Sequence, residues 1–333
     1  MNFQTQGFED LELSTQILIR EALDRNIKME ILDRKENFIK LSKGNNTQYL
    51  KQATKTSLDS YITFLIMENK FVTKEILSNN NITVPTGVIY YTAEKAIEDF
   101  NKYEALDIVV KPNNTNFGKG VAIIKNEQLK NNNIFVDSVK KAFEYDNTII
   151  IEEYIEGREF RFLVIGDEVP AILHRIPANV TGDELHTIAE LIEIKNRDPL
   201  RGKGYKTPLE KLTAGNTEKL FLSESNLDFS YIPKNDEQVF LRRNSNISTG
   251  GDSIDYTDDI IIGYKKIAIK AAQAVEAKIC GADIIIKDIT AEPVKDNYSI
   301  IELNFNPALH IHKFPYKGKN RNVEKKVLNL LGY

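Results

Sequence analysis

The 333 residues hold one cysteine, Cys280, so no disulfide can close within the chain and no metal site can rest on several thiolates. Cys280 reads as core filling. Histidine is almost as scarce: His174, His186, His310 and His312 are the four present, and none stands in HExxH or a similar metal-binding spacing. There is no excess of positive charge, since 44 Lys+Arg stand against 48 Asp+Glu for a formal net charge of −4, and this removes the electrostatic footprint of a nucleic-acid binder. No apolar run approaches the roughly 18 residues of a membrane span, and residues 1–20 lack the order of charge, apolar stretch and small residues that marks a signal peptide. A cytoplasmic chain with neither nucleic acid nor membrane as partner is expected. Internal repeats are lacking too, as is the GxxxxGK[ST] phosphate loop.

What is present is an ordinary hydrophobic share, 41%, in a length that suits two or three domains of roughly 100 to 200 residues. Three segments are expected: an α/β lead-in over 1–66, a small α+β subdomain over 67–155 and a larger one over 156–333. Helical apolar spacing (Leu11, Leu13, Ile17, Ile19, Leu23) predicts a helix over 10–25, followed by the short strands MEIL, FIKL and YLK. Helices are predicted over 65–79, 93–103 and near 136–145, with strands at VPTGVIYY, IVVKP and NTIIIEEYI. REFRFLVIGDEVPAILHRI reads as a long hairpin turning at Gly166-Asp167. A polar, helix-containing insertion over 181–236 leads into a Gly/Ser loop within LRRNSNISTGGDSID, and a helix over 260–277 precedes two closing strands, GADIIIKD and YSIIELNFNP. The fold class is α/β in the α+β sense.

The hairpin VVKPNNTNFGKGVAII, residues 109–124, carries polar groups and glycines where an interior hairpin needs neither. Gly118 and Gly120 can take positive φ and admit a ligand at backbone distance, so successive amide N–H groups of the turn could wrap a phosphate. Lys111 lies on the incoming strand, within reach of the same anion, and Pro112 stiffens its exit. Taken alone, a glycine-containing turn is more often only a turn. In YSIIELNFNP the strand period puts Glu302 and Asn304 on one face, with Ile301, Leu303 and Phe305 toward the core. Asp283 sits at the margin of another apolar strand, where a carboxylate is costly to bury without a partner. Hard oxygen donors of this kind suit Mg²⁺ bound together with nucleotide phosphates. Three solvated residues on a sheet face are the alternative.

Asn69-Lys70, VVKPNNTNFGKGV, IEEYIEGREFRF, GAD and IELNFNP follow one another as in the ATP-grasp superfamily of carboxylate–amine ligases, which the chain resembles. FEDLELSTQIL, LDRKENF, HRIPANVTGDELHTI, NRDPLRGKG and LRRNSNISTGGDSID are similar to the C-terminal glutathione synthetase module of bifunctional γ-glutamylcysteine ligase/glutathione synthetases. The last run also resembles cyanophycin synthetases. The likeness runs from about Phe8 to the end, and the γ-glutamylcysteine ligase half is missing.

The resemblance implies an ATP-grasp fold, in which two α+β subdomains clasp ATP. It gives Lys70 and Lys111 to the nucleotide phosphates and Asn116, Gly118, Lys119 and Gly120 to the loop closing over them. It gives Glu152, Glu153, Tyr154 and Ile155 to adenine, through backbone and an acidic side chain, and Glu159 to the ribose. Asp283, Glu302 and Asn304 become the ligands of Mg²⁺, or of Mn²⁺. Glu159 and Arg161 share a strand face and Arg175 ends the return strand; they flank the nucleotide or are solvated edge charges. Arg242 and Arg243 precede a loop, with Asn246, Ser248, Thr249, Gly250 and Gly251, whose hydroxyls, amides and N–H groups could hold a carboxylate or an oxyanion. The implied reaction joins γ-glutamylcysteine and glycine through an acyl phosphate, giving glutathione, ADP and phosphate. Another ATP-grasp peptide ligase and a non-catalytic nucleotide-binding module are the alternatives. A homodimer, a γ-glutamylcysteine ligase partner and a missing fused domain are the associations the resemblance leaves open.

Overall fold

The computed structural model describes residues 3–115, 118–130 and 132–333. By its contacts the chain divides into two units, and neither is continuous in sequence: one comprises Met1–Leu58, Glu159–Asp259 and Asn306–Tyr333, the other Asp59–Arg158 and Ile260–Phe305. Three consecutive segments were expected. The lead-in instead joins the later hairpin and the C-terminus, and 260–305 goes with the middle of the chain.

In the first unit, helix Leu13–Asp24 precedes an antiparallel sheet of Lys28–Asp33, Phe38–Lys43 and Asn46–Lys51. Ile39, Leu41 and Leu50 alternate onto its buried face, and Leu13, Ile17 and Leu18 of the helix are likewise buried. The C-terminus returns to this corner: Arg25 Nη1 donates to Asn329 Oδ1 at 2.7 Å and to the Tyr333 carbonyl at 2.9 Å. The predicted long hairpin is Arg158–Ile165 with Glu168–Ile176, turning at Gly166 with φ +60°, and Asp252–Asp255 pairs antiparallel with its second strand. The insertion has its own small core, which includes Val180, Ile188, Leu191, Leu222 and Leu241. Its helix Ile188–Lys195 starts with a reciprocal Thr187/Glu190 cap.

In the second unit, an antiparallel sheet runs in the order Gly87–Tyr90, Ile149–Glu153, Ile108–Pro112, Ala122–Ile124. Helices Ala93–Glu98 and Asn132–Phe143 cover it through Ala96, Phe135 and Val139. Strands Ile279–Ile286 and Tyr298–Asn304 pair antiparallel, with helix Ile262–Ala274 against the first. The helix expected over 65–79 is two, Tyr61–Glu68 and Lys70–Asn79. Asn69 adopts extended angles (φ −92°, ψ 101°) and its side chain accepts from the Val72 N–H at 3.0 Å, so it stops one helix and caps the next. A second correction lies in Tyr298–Asn304. The register skips between Asp283 and Ile284, whose partners are Glu302 and Ile300, so Ile301 bulges out half-buried instead of pointing to the core. Phe305, also expected in the core, is half-buried with its ring against Phe64, centroids 5.6 Å apart.

Candidate active site

Within the second unit, Lys111 occupies its buried strand with 8% exposure and donates from Nζ to Glu152 Oε1 at 2.6 Å. Lys74, one helical turn beyond Lys70, contacts the other carboxylate oxygen, Glu152 Oε2. Glu152 is itself 4% exposed, so two ammonium groups share one buried carboxylate. Burial opposes ionising Glu152, but the adjacent Lys111 and Lys74 outweigh it and hold the carboxyl below its ordinary value. Burial also pulls on Lys111, and Glu152 more than offsets it, leaving that ammonium above its usual range. Lys74 is pushed down to about 7 by burial and by the Lys111 charge, against the pull of Glu152. One carboxylate cannot balance both lysines, and the surplus positive charge suits a phosphate.

Lys70 stands in the first turn of its helix because Asn69 caps there. Its Nζ donates to the carbonyls of Asn113 (3.3 Å) and Thr115 (2.5 Å) and lies 3.8 Å from Glu302 Oε1. Burial lowers its pKa. Asn113 ties the hairpin to that helix, accepting from the Phe71 N–H at 3.0 Å and donating to Asn69 Oδ1 at 3.1 Å. Gly118 and Gly120 have φ of +70° and +71°, and a Cβ on Gly120 would lie 2.8 Å from both Pro112 and Tyr145. Lys119 is exposed between them, and Asn116 lies outside the described residues.

Glu152, Glu153, Tyr154 and Ile155 follow along and beyond one strand. Gly87 pairs with Glu152 across the ladder, and a Cβ there would come within 2.8 Å of the Glu152 Cβ. Glu153 Oε1 accepts from the Thr86 N–H at 2.8 Å, and the Tyr154 N–H donates to the Asp107 carbonyl at 2.9 Å. The acidic side chains expected at adenine are thus engaged with protein groups. Lys125 Nζ, bonded to Asp107 at 2.8 Å, sits 3.9 Å over the Tyr154 ring.

Asp283 and Glu302 are direct cross-strand partners, which puts both carboxylates on one face, and Asn304 Nδ2 donates to Asp283 Oδ2 at 3.4 Å. Like charges directly opposite one another in a sheet are unfavourable. Two carboxylates and an amide oxygen, with Asp283 only 2% exposed, fit a hard divalent cation. No cluster of three or more His, Cys, Asp or Glu suited to a metal occurs among the described residues.

In the first unit, Glu159 pairs with Arg175 and accepts from Ser245 Oγ at 2.6 Å, which ties the hairpin to the Gly/Ser loop. Arg161 is half-buried on the same strand. Arg242 and Arg243 follow the end of strand Gln238–Phe240. Arg242 Nε donates to Glu218 Oε1 at 2.5 Å, while Arg243, half exposed, pairs with Glu224 beside the Phe221 ring. Asn246 opens a short 3₁₀ turn, Ile247–Thr249, which contains Ser248; the Asn246 carbonyl accepts from the Thr249 and Gly251 N–H groups. Gly250 has φ +93°, and a Cβ on Gly251 would lie 2.8 Å from the Ile176 carbonyl. Burial takes His310 down to about 4 and His312 to about 3, and His310 Nδ1 lies 2.9 Å from Ser14 Oγ. Lys74 and Arg201 stand out only in the structure. Lys74 has one signal in the sequence, its i+4 spacing from Lys70; Arg201, within NRDPLRGKG, has none.

Two family models match the chain: an ATP-grasp-like domain over residues 9–62 and a RimK-like ATP-grasp domain over 67–186 and 238–331. The glutathione biosynthesis bifunctional protein GshAB of Clostridium perfringens is 56% identical over 329 residues, 99% of this chain and 42% of that protein. The protein of the same name from Listeria monocytogenes serotype 4b is 50% identical over 325 residues, 98% of this chain and 42% of that one. The crystal structure of a bifunctional glutathione synthetase from Pasteurella multocida superposes with a TM-score of 0.77 at 42% identity, covering 99% of this chain and 45% of that one. The chain spans less than half the length of these relatives.

Proposed function

The chain belongs to the RimK-like ATP-grasp domain family, and from that premise we propose that it is an ADP-forming ligase joining γ-glutamylcysteine to glycine. The observation that carries the ligase reading is the juxtaposition, in one unit, of buried phosphate-seeking lysines with a carboxylate pair: Lys70 Nζ lies 3.8 Å from Glu302, which faces Asp283. The relatives, a glutathione biosynthesis bifunctional protein and a bifunctional glutathione synthetase, support the choice of substrates.

A carboxylate is a poor acyl donor because its leaving group would be oxide. Bond formation from the peptide's carboxylate oxygen to the γ-phosphorus, as the bond from that phosphorus to ADP breaks, gives an acyl phosphate. Lys70 and Lys111 balance charge on the moving phosphoryl group and orient it. Asp283, Glu302 and Asn304 would hold Mg²⁺, or Mn²⁺, whose charge offsets that of the phosphates. Nitrogen of the free amine then attacks the acyl carbon, the carbon–nitrogen bond forms, phosphate leaves and the amine gives up its proton. Arg243, with Arg242, stabilises the oxyanion of that step, since the Gly250 and Gly251 N–H groups donate to the Ile247 and Asn246 carbonyls within the loop. Glu152 to Ile155 border the adenine, Glu159 the ribose, and Arg175 orients Glu159.

No helix among the described residues is long and apolar enough to cross a membrane, and a cytoplasmic location is part of this reading. So is a supply of dipeptide from a γ-glutamylcysteine-forming ligase, fused or separate. ADP release with γ-glutamylcysteine, measured while the amine is varied, tests the reading: glycine should exceed alanine and serine. Turnover no better than with glutamate or an aspartyl peptide would leave only the family assignment.

A further inference from the structure

The RimK-like match stops at residue 186 and resumes at 238, and the segment it passes over grips both ends of the Gly/Ser loop. At the first end, Glu218 is 2% exposed and fixed by its own helix start, accepting from the Gly215 N–H at 2.9 Å and Thr213 Oγ1 at 2.8 Å; from there it receives Arg242. At the other end, Arg201 has a fully buried side chain. Its Nη1 donates to the carbonyls of Glu210 (2.9 Å) and Gly250 (3.1 Å), and its Nη2 meets Asp252 Oδ1. Lys195 completes that grip, donating to Asp252 Oδ2 at 2.7 Å and to the Asn179 carbonyl at 2.9 Å. Leu212 lies under Gly250 so closely that a Cβ on that glycine would stand 3.1 Å from the Leu212 Cα.

A buried arginine–aspartate pair is weak ground for stability, because desolvation consumes most of the attraction. The planar guanidinium is well suited to something else: it bonds a carbonyl and a carboxylate at once in fixed directions. Here those two groups flank Gly251, where the loop turns back. Resting on the ligase reading above, we propose that Arg201 is a positioning residue through which the 187–237 insertion holds loop 244–251 in the shape that selects the acyl peptide. The insertion is therefore a specificity element of the site, acting on the peptide more than on the nucleotide.

Arg201→Lys keeps a positive charge opposite Asp252 but loses the fork, and Arg201→Met removes both. In the full chain, each should raise KM for γ-glutamylcysteine, by up to about 100-fold for a loop displaced by roughly 1 Å, with a smaller rise in KM for ATP through the Ser245–Glu159 bond and Arg201→Lys the milder. Preference for γ-glutamylcysteine over an aspartyl dipeptide should fall in parallel. Hydrogen exchange should quicken in residues 242–252 and stay unchanged in 279–304. Equal rises in both KM values, unaltered peptide preference in Arg201→Lys, or parental exchange in 242–252 would overturn the proposal. If Arg201→Met fails to fold, Arg201→Lys decides alone. Absence of ADP formation by the parent protein with γ-glutamylcysteine defeats the ligase reading instead, and the exchange comparison, which needs no turnover, still decides whether Arg201 holds the loop.

Discussion

Lys74 meets Glu152 on the carboxylate oxygen that Lys111 leaves open, in a site where Glu152 is 4% exposed. The pairing makes Lys74 an indirect partner of any anion that Lys111 binds. With Lys74 replaced by methionine, Glu152 rests on Lys111 alone and draws its ammonium away from phosphate. Lys74→Met should therefore raise KM for ATP by about 10-fold, the worth of one charge-assisted contact of roughly 1.5 kcal/mol, with KM for the peptide unchanged. Steady-state kinetics with each substrate varied in turn checks this.

The same lysine gives a pH signature. Its pKa falls from 10.5 unfolded to about 7 folded. Between those values the unfolded chain binds the extra proton, so this group's contribution to stability rises with pH from about 7 toward 10. Melting temperatures of the parent and Lys74→Met across that range should show the parent gaining on the variant. A constant difference would mean that Lys74 does not change charge there.

Asp283→Ala and Glu302→Ala should abolish ADP formation while leaving the melting temperature close to that of the parent, since both side chains are proposed to hold a metal and not the core. Activity should be followed against Mg²⁺ concentration. A variant as active as the parent at low Mg²⁺ would remove its residue from the metal site.

Both hairpin glycines hold angles that L side chains resist. Gly120→Val meets an unfavourable φ of +71° and overlap with Pro112 and Tyr145, and Gly118→Val meets a φ of +70°. Strain of about 1–3 kcal/mol is expected at each position, and overpacking of similar size accompanies it at Gly120. Denaturant unfolding should show both variants destabilised, and both should bind ATP more weakly. Parental ATP affinity in both would make this turn only a turn.

The neighbouring arginines should part company. Arg242 pairs with the buried Glu218, so Arg242→Ala strands a carboxylate and should cost about 1–3 kcal/mol of stability. Arg243 and Glu224 are 46% and 52% exposed, and their pairing contributes at most about 1 kcal/mol. Arg243→Ala should fold normally and lose about 30-fold to 1,000-fold in kcat/KM for the dipeptide, as expected for a lost charge-assisted contact of roughly 2 to 4 kcal/mol, with ATP affinity nearly unchanged. Loss of ATP affinity in Arg243→Ala would move that residue to the nucleotide.

The sequence alone determined whatever depends on short-range spacing. A period of two put Glu302 and Asn304 on one face, glycines marked the positive φ angles at 118 and 120, and the strands and turn of the 158–176 hairpin were legible because alternation and turn residues act within a few positions. Only the tertiary structure decided the rest. The bulge at Ile301 arises from pairing with a strand whose register no local pattern announces, and the cap at Asn69, itself a local contact, is held in place by Asn113 from 44 residues away. Lys74 reaches Glu152 across 78 residues and Arg201 reaches Gly250 across 49. Such contacts form when buried charges are driven to share partners, and a burial that distant packing creates leaves no trace in the residues beside it.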